Sequence, residues 1–322
     1  MSKNSVTYLL LGGLLACVCV LAVFVGAVDV PLRDFMDSSI IRLRMARILL
    51  AVAAGAGLSV AGVLFQGILR NPLAEPYVLG VSSGAGLGAT VAILLGAAAY
   101  GSWTLPAMAF VGALLAVVIV YALGSVGRAM PVHTLLLAGI VVGTILNSIL
   151  MFLVSYPWKD QPTDRLHNVV WWMMGNLEIL DSSLLLAVCI IVACATSVAV
   201  LLGWVLNVLA LGEEPAAHLG IRVERTKKLF FVLGSLVTGA IVAACGLIGF
   251  VGLIVPHTMR MIVGPDHRRL LPASALAGAV FLVVADAFAR SLLATEIPIG
   301  VVTAVVGGPF FLVLLRRRRR PL

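Results

Sequence analysis

Few residues of this 322-residue chain have the types and spacing that catalysis or metal binding requires. No two of the five histidines are four residues apart, the spacing that places two imidazoles on one helix face to bind zinc. The five cysteines lie within apolar runs and form no cluster of the kind that binds a metal. A phosphate-binding loop needs a Gly-Lys pair, which the chain lacks. We therefore predict no catalytic residue, no metal site and no ATP hydrolysis by the chain itself.

Several charged residues nevertheless stand out because they lie within or beside apolar runs. Asp286 is four residues before Arg290, so the two side chains can pair on one helix face. An acid within a membrane is costly and often functional, and both a structural pair and a transport role are open. Arg42, Arg44 and Arg47, in the stretch "RLRMAR", could bind an acidic partner or lipid phosphates.

The stretch "RNPLAEPYVLGVSSGAGLG", from Arg70 to Gly88, is interrupted by two prolines and several glycines. Irregular backbone at membrane depth is tolerated only where it is buried in protein or lines a cavity. The stretch is thus either part of a gate or an ordinary turn. The four-residue spacing of Gly80, Gly84 and Gly88 favours close packing of helices.

A compact charged insert, "LGEEPAAHLGIRVERTKK", runs from Leu211 to Lys228. Acids and Pro215 at its start favour a helix beginning there, and Gly220 favours a helix end. We predict two short helices leading into the next apolar run. The insert is longer than a bare connection needs, so it is either a docking surface for a soluble partner or a solvated loop.

Long apolar helices must position these residues, because 61% of the chain is hydrophobic and only 11% is charged. The runs are continuous rather than alternating, which excludes a barrel and indicates an all-α polytopic membrane protein of about ten transmembrane helices. The runs lie near 7–28, 47–69, 83–100, 104–124, 132–155, 184–207, 228–250, 251–263, 274–293 and 301–315.

An even number of spans places both termini on one side, and the run Arg316–Arg320 predicts that this side is cytoplasmic. The net charge of +8 includes those five arginines, so it does not indicate nucleic-acid binding. The longest external segment, about Tyr156–Ser183, is too short to be a domain. We predict a single transmembrane domain, 1–322, with a cytoplasmic segment at 211–228.

Four stretches in fixed order resemble the iron-chelate/cobalamin permease family of bacterial ABC importers. They are "RMAR…AGVLFQGILRNPLAEPYVLGVSSGAG", "LGEEPAAHLGI", "GLIGFVGLIVPHTMRMIVGPDHRRLLPASALAGA" and "ADAFAR…TEIPIGVVTAVVGGPFFLVLL". The resemblance implies a type II ABC importer permease in the bacterial inner membrane. It also implies a second permease copy, two ATP-binding cassette subunits that use ATP and Mg, and a periplasmic substrate-binding protein. No cofactor would be bound by the permease itself.

The resemblance also implies roles for individual residues. Arg44, Arg47 and Arg290 match external arginines that meet acids on the binding protein. The coupling segment that would sit in a groove of the ATPase includes Glu213, Glu214, Ala217, His218, Leu219, Gly220 and Arg222. The gate region would include Asn71, Leu73, Val132 and Thr134. The family often has proline where this chain has Ala46, so we expect a more helical backbone before Arg47.

The family carries ferric siderophores, haem and cobalamin, and the sequence does not select one. We rank ferric siderophore first, with cobalamin and haem close behind. The alternative function is that of an ion-coupled secondary transporter, which would use broken helices and acids at the membrane midplane.

Overall fold

The architecture described below is that of a computed structural model of the full chain. The structure describes residues 3–26, 39–125, 127, 129–156, 164–179, 181–293 and 295–318. Arg319 and Arg320 of the terminal run, and residues 157–163 of the predicted external segment, lie outside the described residues.

The described residues form thirteen α-helices, which confirms the all-α prediction. Two short 3-10 helices, Pro76–Leu79 and Ala97–Tyr100, flank the third α-helix. The α-helices are α1 Lys3–Phe24, α2 Ser39–Ile68, α3 Val81–Leu94, α4 Thr104–Gly124, α5 Val132–Ser155, α6 Asp164–Met173, α7 Ser182–Leu201, α8 Gly203–Ala210, α9 Glu213–His218, α10 Val223–Cys245, α11 Val251–Val263, α12 His267–Ser291 and α13 Ile299–Arg318.

Seven of these helices are long and apolar enough to cross a membrane, and three shorter apolar helices accompany them. The three are α3, α11 and the apolar part of α13. Together they correspond to the ten predicted runs, although two runs are divided. The run predicted at 83–100 ends as an α-helix at Leu94, and the run at 184–207 divides at Leu202 into α7 and α8.

Helix α2 is the centre of the bundle, with 83% of its apolar window buried. It packs against α12, α10, α11 and α7. Between Arg47 and Ile68 the helix rises about 30 Å at 1.5 Å per residue, which matches the hydrocarbon thickness of a bilayer. Helix α1, by contrast, has only 6% of its window buried. One continuous helix thus connects the two ends of the bundle.

Small residues allow the closest helix contacts, as the glycine spacing predicts. A methyl group on Gly84 of α3 would overlap the carbonyl oxygen of Gly112 on α4. No side chain larger than hydrogen fits there without separating the helices. Close approach of this kind replaces the hydrophobic driving force that lipid does not supply between helices.

Helix α6 was not predicted; it lies in the segment, about Tyr156–Ser183, that the sequence analysis describes only as external. Its ten residues are amphipathic rather than uniformly apolar, so they form no apolar run. The Arg165 guanidinium donates a 2.7 Å hydrogen bond to the carbonyl oxygen of Leu94. This bond gives a donor to one of the last carbonyls of α3, a position where helices need partners from outside.

Candidate functional site

Two of the three predicted external arginines, Arg47 and Arg290, converge on one buried acid. We call this end of the bundle the arginine end, defined by Arg44, Arg47 and Arg290. The Nε of Arg47 lies 2.8 Å from Oδ1 of Asp286, whose side chain is fully buried. The Nε of Arg290 lies 2.9 Å from Oδ2 of the same carboxylate. Arg47 also contacts Glu296 at 2.7 Å, and Glu178 lies 4.0 Å away. Asp286 therefore pairs with Arg290 as its spacing predicts, and also with Arg47.

Two of these arginines, Arg44 and Arg290, bind the end of α1. Arg44 donates a 2.9 Å hydrogen bond to the carbonyl oxygen of Val23, and Arg290 donates to those of Val25 and Ala22 at 2.9 and 3.3 Å. The last carbonyls of a helix lack intrahelical partners and carry partial negative charge. The guanidinium groups satisfy both needs, so they fasten the otherwise exposed α1 to the bundle.

Burial sets a condition on the predicted docking role. Arg44, Arg47 and Arg290 are only 7%, 8% and 3% exposed. They do not stand free on an open surface, so an acidic partner would have to exchange with their present acceptors. Residues 39–68 are helical, as the alanine at position 46 leads us to expect. The docking role itself stays a prediction.

The broken stretch after α2 turns back into the bundle. Arg70 adopts a left-handed backbone with φ of 48°, and the Asn71 side chain accepts a 3.0 Å hydrogen bond from the Leu73 N–H. A side-chain cap of this kind closes a tight turn. The predicted gate residues Asn71 and Leu73 therefore lie at the start of a re-entrant segment that leads into α3.

Two side chains of that segment, Glu75 and Tyr77, bind the second break in the chain, between α10 and α11. Glu75 accepts a 2.7 Å hydrogen bond from the N–H of Phe250. The Tyr77 hydroxyl donates to the carbonyl oxygen of Ile248 at 2.8 Å and accepts from its N–H at 3.0 Å. These bonds satisfy backbone groups that lipid could not. The sequence analysis did not select either side chain, although the prolines beside Glu75 signalled the break.

The charged insert forms one separate short helix, α9, rather than two. Its second predicted helix is the first turn of α10, which begins at Val223. Ala216 is buried against the bundle, while Ala217, His218 and Leu219 are exposed. The apolar residue Leu219 is 64% exposed. A turn at Gly220, with φ of 82°, follows the helix. The predicted coupling residues thus form a projecting surface with an apolar side chain on it.

A cavity of about 560 Å³ joins this insert to part of the predicted gate. The end of the bundle that carries the insert is called the coupling end, and it is defined by residues 211–222. Glu213 lines the cavity together with Arg70, Val132 and His133. Asn71, Leu73 and Thr134 are not among its lining residues. The structure therefore places Val132 beside the insert, and the other gate residues one to three positions along the chain from a lining residue.

Helix α8, which leads into α9, is fixed to the start of α12. Asn207 donates a 2.6 Å hydrogen bond to Asp266 and accepts one of 2.8 Å from the His267 N–H. Burial by itself would raise the pKa of Asp266, but hydrogen bonds from Asn207 and the Arg268 N–H bring that pKa below its ordinary value. The carboxylate stays charged and caps α12, so α8 and α12 hold a fixed relative position.

Comparison with known proteins relates this geometry to a family. The model of the FecCD transport family matches residues 14–317. The chain is similar to the cobalamin import system permease protein BtuC of Halobacterium salinarum, with 45% identity over 86% of this chain and 73% of the relative. It is also similar to the hemin transport system permease protein HmuU of Yersinia pestis, with 37% identity over 97% and 96%.

Among solved structures, the fold is similar to that of a metal-chelate type ABC transporter in an inward-facing conformation. The TM-score is 0.87 at 31% sequence identity, and the match covers 97% of this chain and 99% of the other. The similarity thus extends over nearly all the helices described above.

Proposed function

The chain belongs to the FecCD transport family, and from that premise we propose that it carries cobalamin through a pathway between two permease copies. It is the membrane permease subunit of an ABC importer and not itself an enzyme. The substrate proposal rests on one observation, the 45% identity to a cobalamin permease against 37% to a hemin permease. Cobalamin therefore moves ahead of ferric siderophore in our ranking, with haem second.

The sequence left two transporter classes open, an ABC importer permease and an ion-coupled secondary transporter. Membership of the FecCD transport family favours the ABC importer. The position of Asp286 agrees with that outcome. An acid that binds a coupling ion would need contact with water or substrate. Asp286 has no exposed surface and pairs with two arginines instead. Its properties favour a structural role.

The second permease copy is supported by polar side chains on α5 that point away from the rest of this chain. Asn147, Thr144 and Ser148 are exposed although α5 is a membrane-spanning helix. The two hydroxyls bond to backbone carbonyls one turn earlier, each at 2.9 Å. Asn147 makes no side-chain hydrogen bond among the described residues. An amide without a hydrogen-bond partner is costly in hydrocarbon. A partner copy or a water-filled pathway on this face would remove that cost for the Asn147 side chain.

We infer that the coupling end faces the cytoplasm, where the ATPase subunits would bind α9. The exposed cations Arg222, Arg225 and Lys228 at this end agree with the positive-inside bias. The arginine end would then face outward, towards a substrate-binding protein, and both termini would be cytoplasmic.

The test is transport by the purified complex. The chain would be co-expressed with its ATPase, reconstituted in liposomes, and supplied with cyanocobalamin and with hemin in separate assays. We expect two permease copies and two ATPases in the native mass, and cyanocobalamin uptake that requires ATP. Uptake of hemin alone would overturn the substrate proposal. Failure to retain the ATPase would overturn the coupling role of α9.

Docking of the binding protein can be tested through the exposed acid that now holds Arg47. Glu296 is 40% exposed and competes for that guanidinium. We expect Glu296→Gln to raise the affinity for the binding protein about two- to fivefold, because an exposed pair is worth about 0.5–1 kcal/mol. Surface plasmon resonance with the permease in nanodiscs measures the affinity for the binding protein.

Glu178→Gln is the matched control, because it removes the same charge at the longer distance of 4.0 Å. Its effect should be smaller. Equal effects of the two variants would indicate a general charge effect, and no effect of Glu296→Gln would contradict a docking role for Arg47.

A further inference from the structure

Lys227 is a buried lysine at the end of the molecule where the neighbouring cations are exposed. Its side chain is 5% exposed, whereas Arg225 and Lys228 are exposed. Lysine is seldom buried unless its charge is paired. Lys227 belongs to the charged insert of the sequence analysis, and nothing in the sequence distinguishes it from Lys228.

The Lys227 ammonium group joins three separate elements. Its Nζ lies 2.8 Å from Oε1 of Glu213 on α9 and 3.0 Å from Oε1 of Glu224 on α10. It also donates a 3.3 Å hydrogen bond to the carbonyl oxygen of Met130, just before α5. The ammonium group thus donates hydrogen bonds to Glu224 and Met130 and forms an ion pair with Glu213.

Glu224 closes the network by accepting a 2.8 Å hydrogen bond from the N–H of Met130. Met130 is 3% exposed and leads directly to Val132, the first residue of α5 and a predicted gate residue. The backbone at Met130 is thus held through both its N–H and its carbonyl. Displacement of α9 would be passed to the start of α5 through charged hydrogen bonds, which are stronger than neutral ones.

Removing the ammonium group would do more than delete contacts. Glu213 and Glu224 both approach the same nitrogen, so without it two carboxylates would face each other. Like charges at short range repel, and α9 would separate from α10 and from Met130. Among the described residues that line the shared cavity, Arg70 is the one other arginine or lysine.

We propose that Lys227 is the positioning residue that couples the ATPase-docking helix α9 to the gate segment at the start of α5. This inference rests on the proposed function of α9 as the ATPase dock. It adds the element that connects the dock to the membrane pathway. The movement itself would be a rigid shift of α9, of the kind that packed interfaces transmit.

The experiment compares Lys227→Met, Lys227→Arg and Lys228→Met in the reconstituted permease–ATPase complex, with cyanocobalamin as the probe. The readouts are ATPase co-purification, ATP hydrolysis and the cyanocobalamin taken up per ATP. For Lys227→Met we expect the ATPase to stay bound and ATP to be hydrolysed, while uptake per ATP falls about tenfold, within the range of coupling between protein sites. Lys227→Arg should restore most of that ratio, and Lys228→Met should leave it unchanged.

A second variant keeps the inference testable if Lys227→Met folds poorly. Glu213→Gln removes the ion pair between α9 and Lys227, on a side chain that is 45% exposed, and should lower uptake per ATP about threefold while the ATPase stays bound. An unchanged ratio in Lys227→Met or, where that variant fails to fold, in Glu213→Gln would overturn the role of Lys227 alone. Loss of the ATPase from the unsubstituted permease would overturn the proposed function of α9, and this inference with it.

Discussion

Replacement of Asp286 by asparagine is expected to lower the free energy of unfolding by about 3 kcal/mol, because it leaves buried arginines without their counter-charge. Asparagine keeps the shape of the side chain, so the loss reports on charge rather than on a cavity. Arg47 and Arg290 would both lose their closest acid. Reversible unfolding of the detergent-solubilised chain in mixed micelles measures the change.

Two further variants separate the buried pair from its exposed neighbour. Glu296→Gln should cost no more than about 1 kcal/mol, since that carboxylate is 40% exposed. The double variant Arg47→Gln/Asp286→Asn should cost less than the sum of the single variants, because the groups are in direct contact. A cost below about 1 kcal/mol for Asp286→Asn would show that the arginines do not depend on this acid.

Replacement of Ala217 by tryptophan is expected to weaken binding of the ATPase about 30-fold, which corresponds to about 2 kcal/mol. Ala217 is exposed on a six-residue helix whose preceding residue, Ala216, is fully buried. An indole at this position would prevent close approach of a partner without disturbing the bundle. Binding of the solubilised permease to labelled ATPase measures the affinity.

Ala217→Ser is the matched control, because it keeps a small side chain at the same exposed position. It should bind the ATPase as the unsubstituted chain does. Equal affinities for the tryptophan and serine variants would remove α9 from the docking surface. Normal membrane insertion of both variants is expected, since neither changes a spanning helix.

The spanning helices could be predicted because their signal is local and large. Ten apolar runs are visible in the sequence, and the helices occur where the runs do. Boundaries were less accurate where a helix continues beyond its apolar part. Helix α2 starts at Ser39 rather than at the predicted residue 47, since the polar turn containing Arg44 is sheltered by α1 and α12. Composition alone does not reveal such shelter.

Only part of the site could be predicted, because some of its contacts are local in the sequence and others are not. The pairing of Asp286 with Arg290 follows from their four-residue spacing, but the contact of Arg47 with Asp286 joins residues 239 positions apart. Glu75 likewise meets Phe250 across 175 positions. Lys227 combines a local contact, to Glu224, with a distant one, to Met130. Long-range pairs depend on which helices become neighbours, and this cannot be seen in one sequence without the fold.

The central position of α2 has a consequence for biosynthesis. Its main partners, α10 and α12, follow it in the chain, and about 155 residues separate Ile68 from Val223. At 5–20 residues per second, roughly 8–30 s pass between synthesis of α2 and of α10. During that interval the buried polar side chains Ser59 and Gln66 lack the helices that finally cover them. The centre of the bundle is therefore among the first parts to be made and among the last to be assembled.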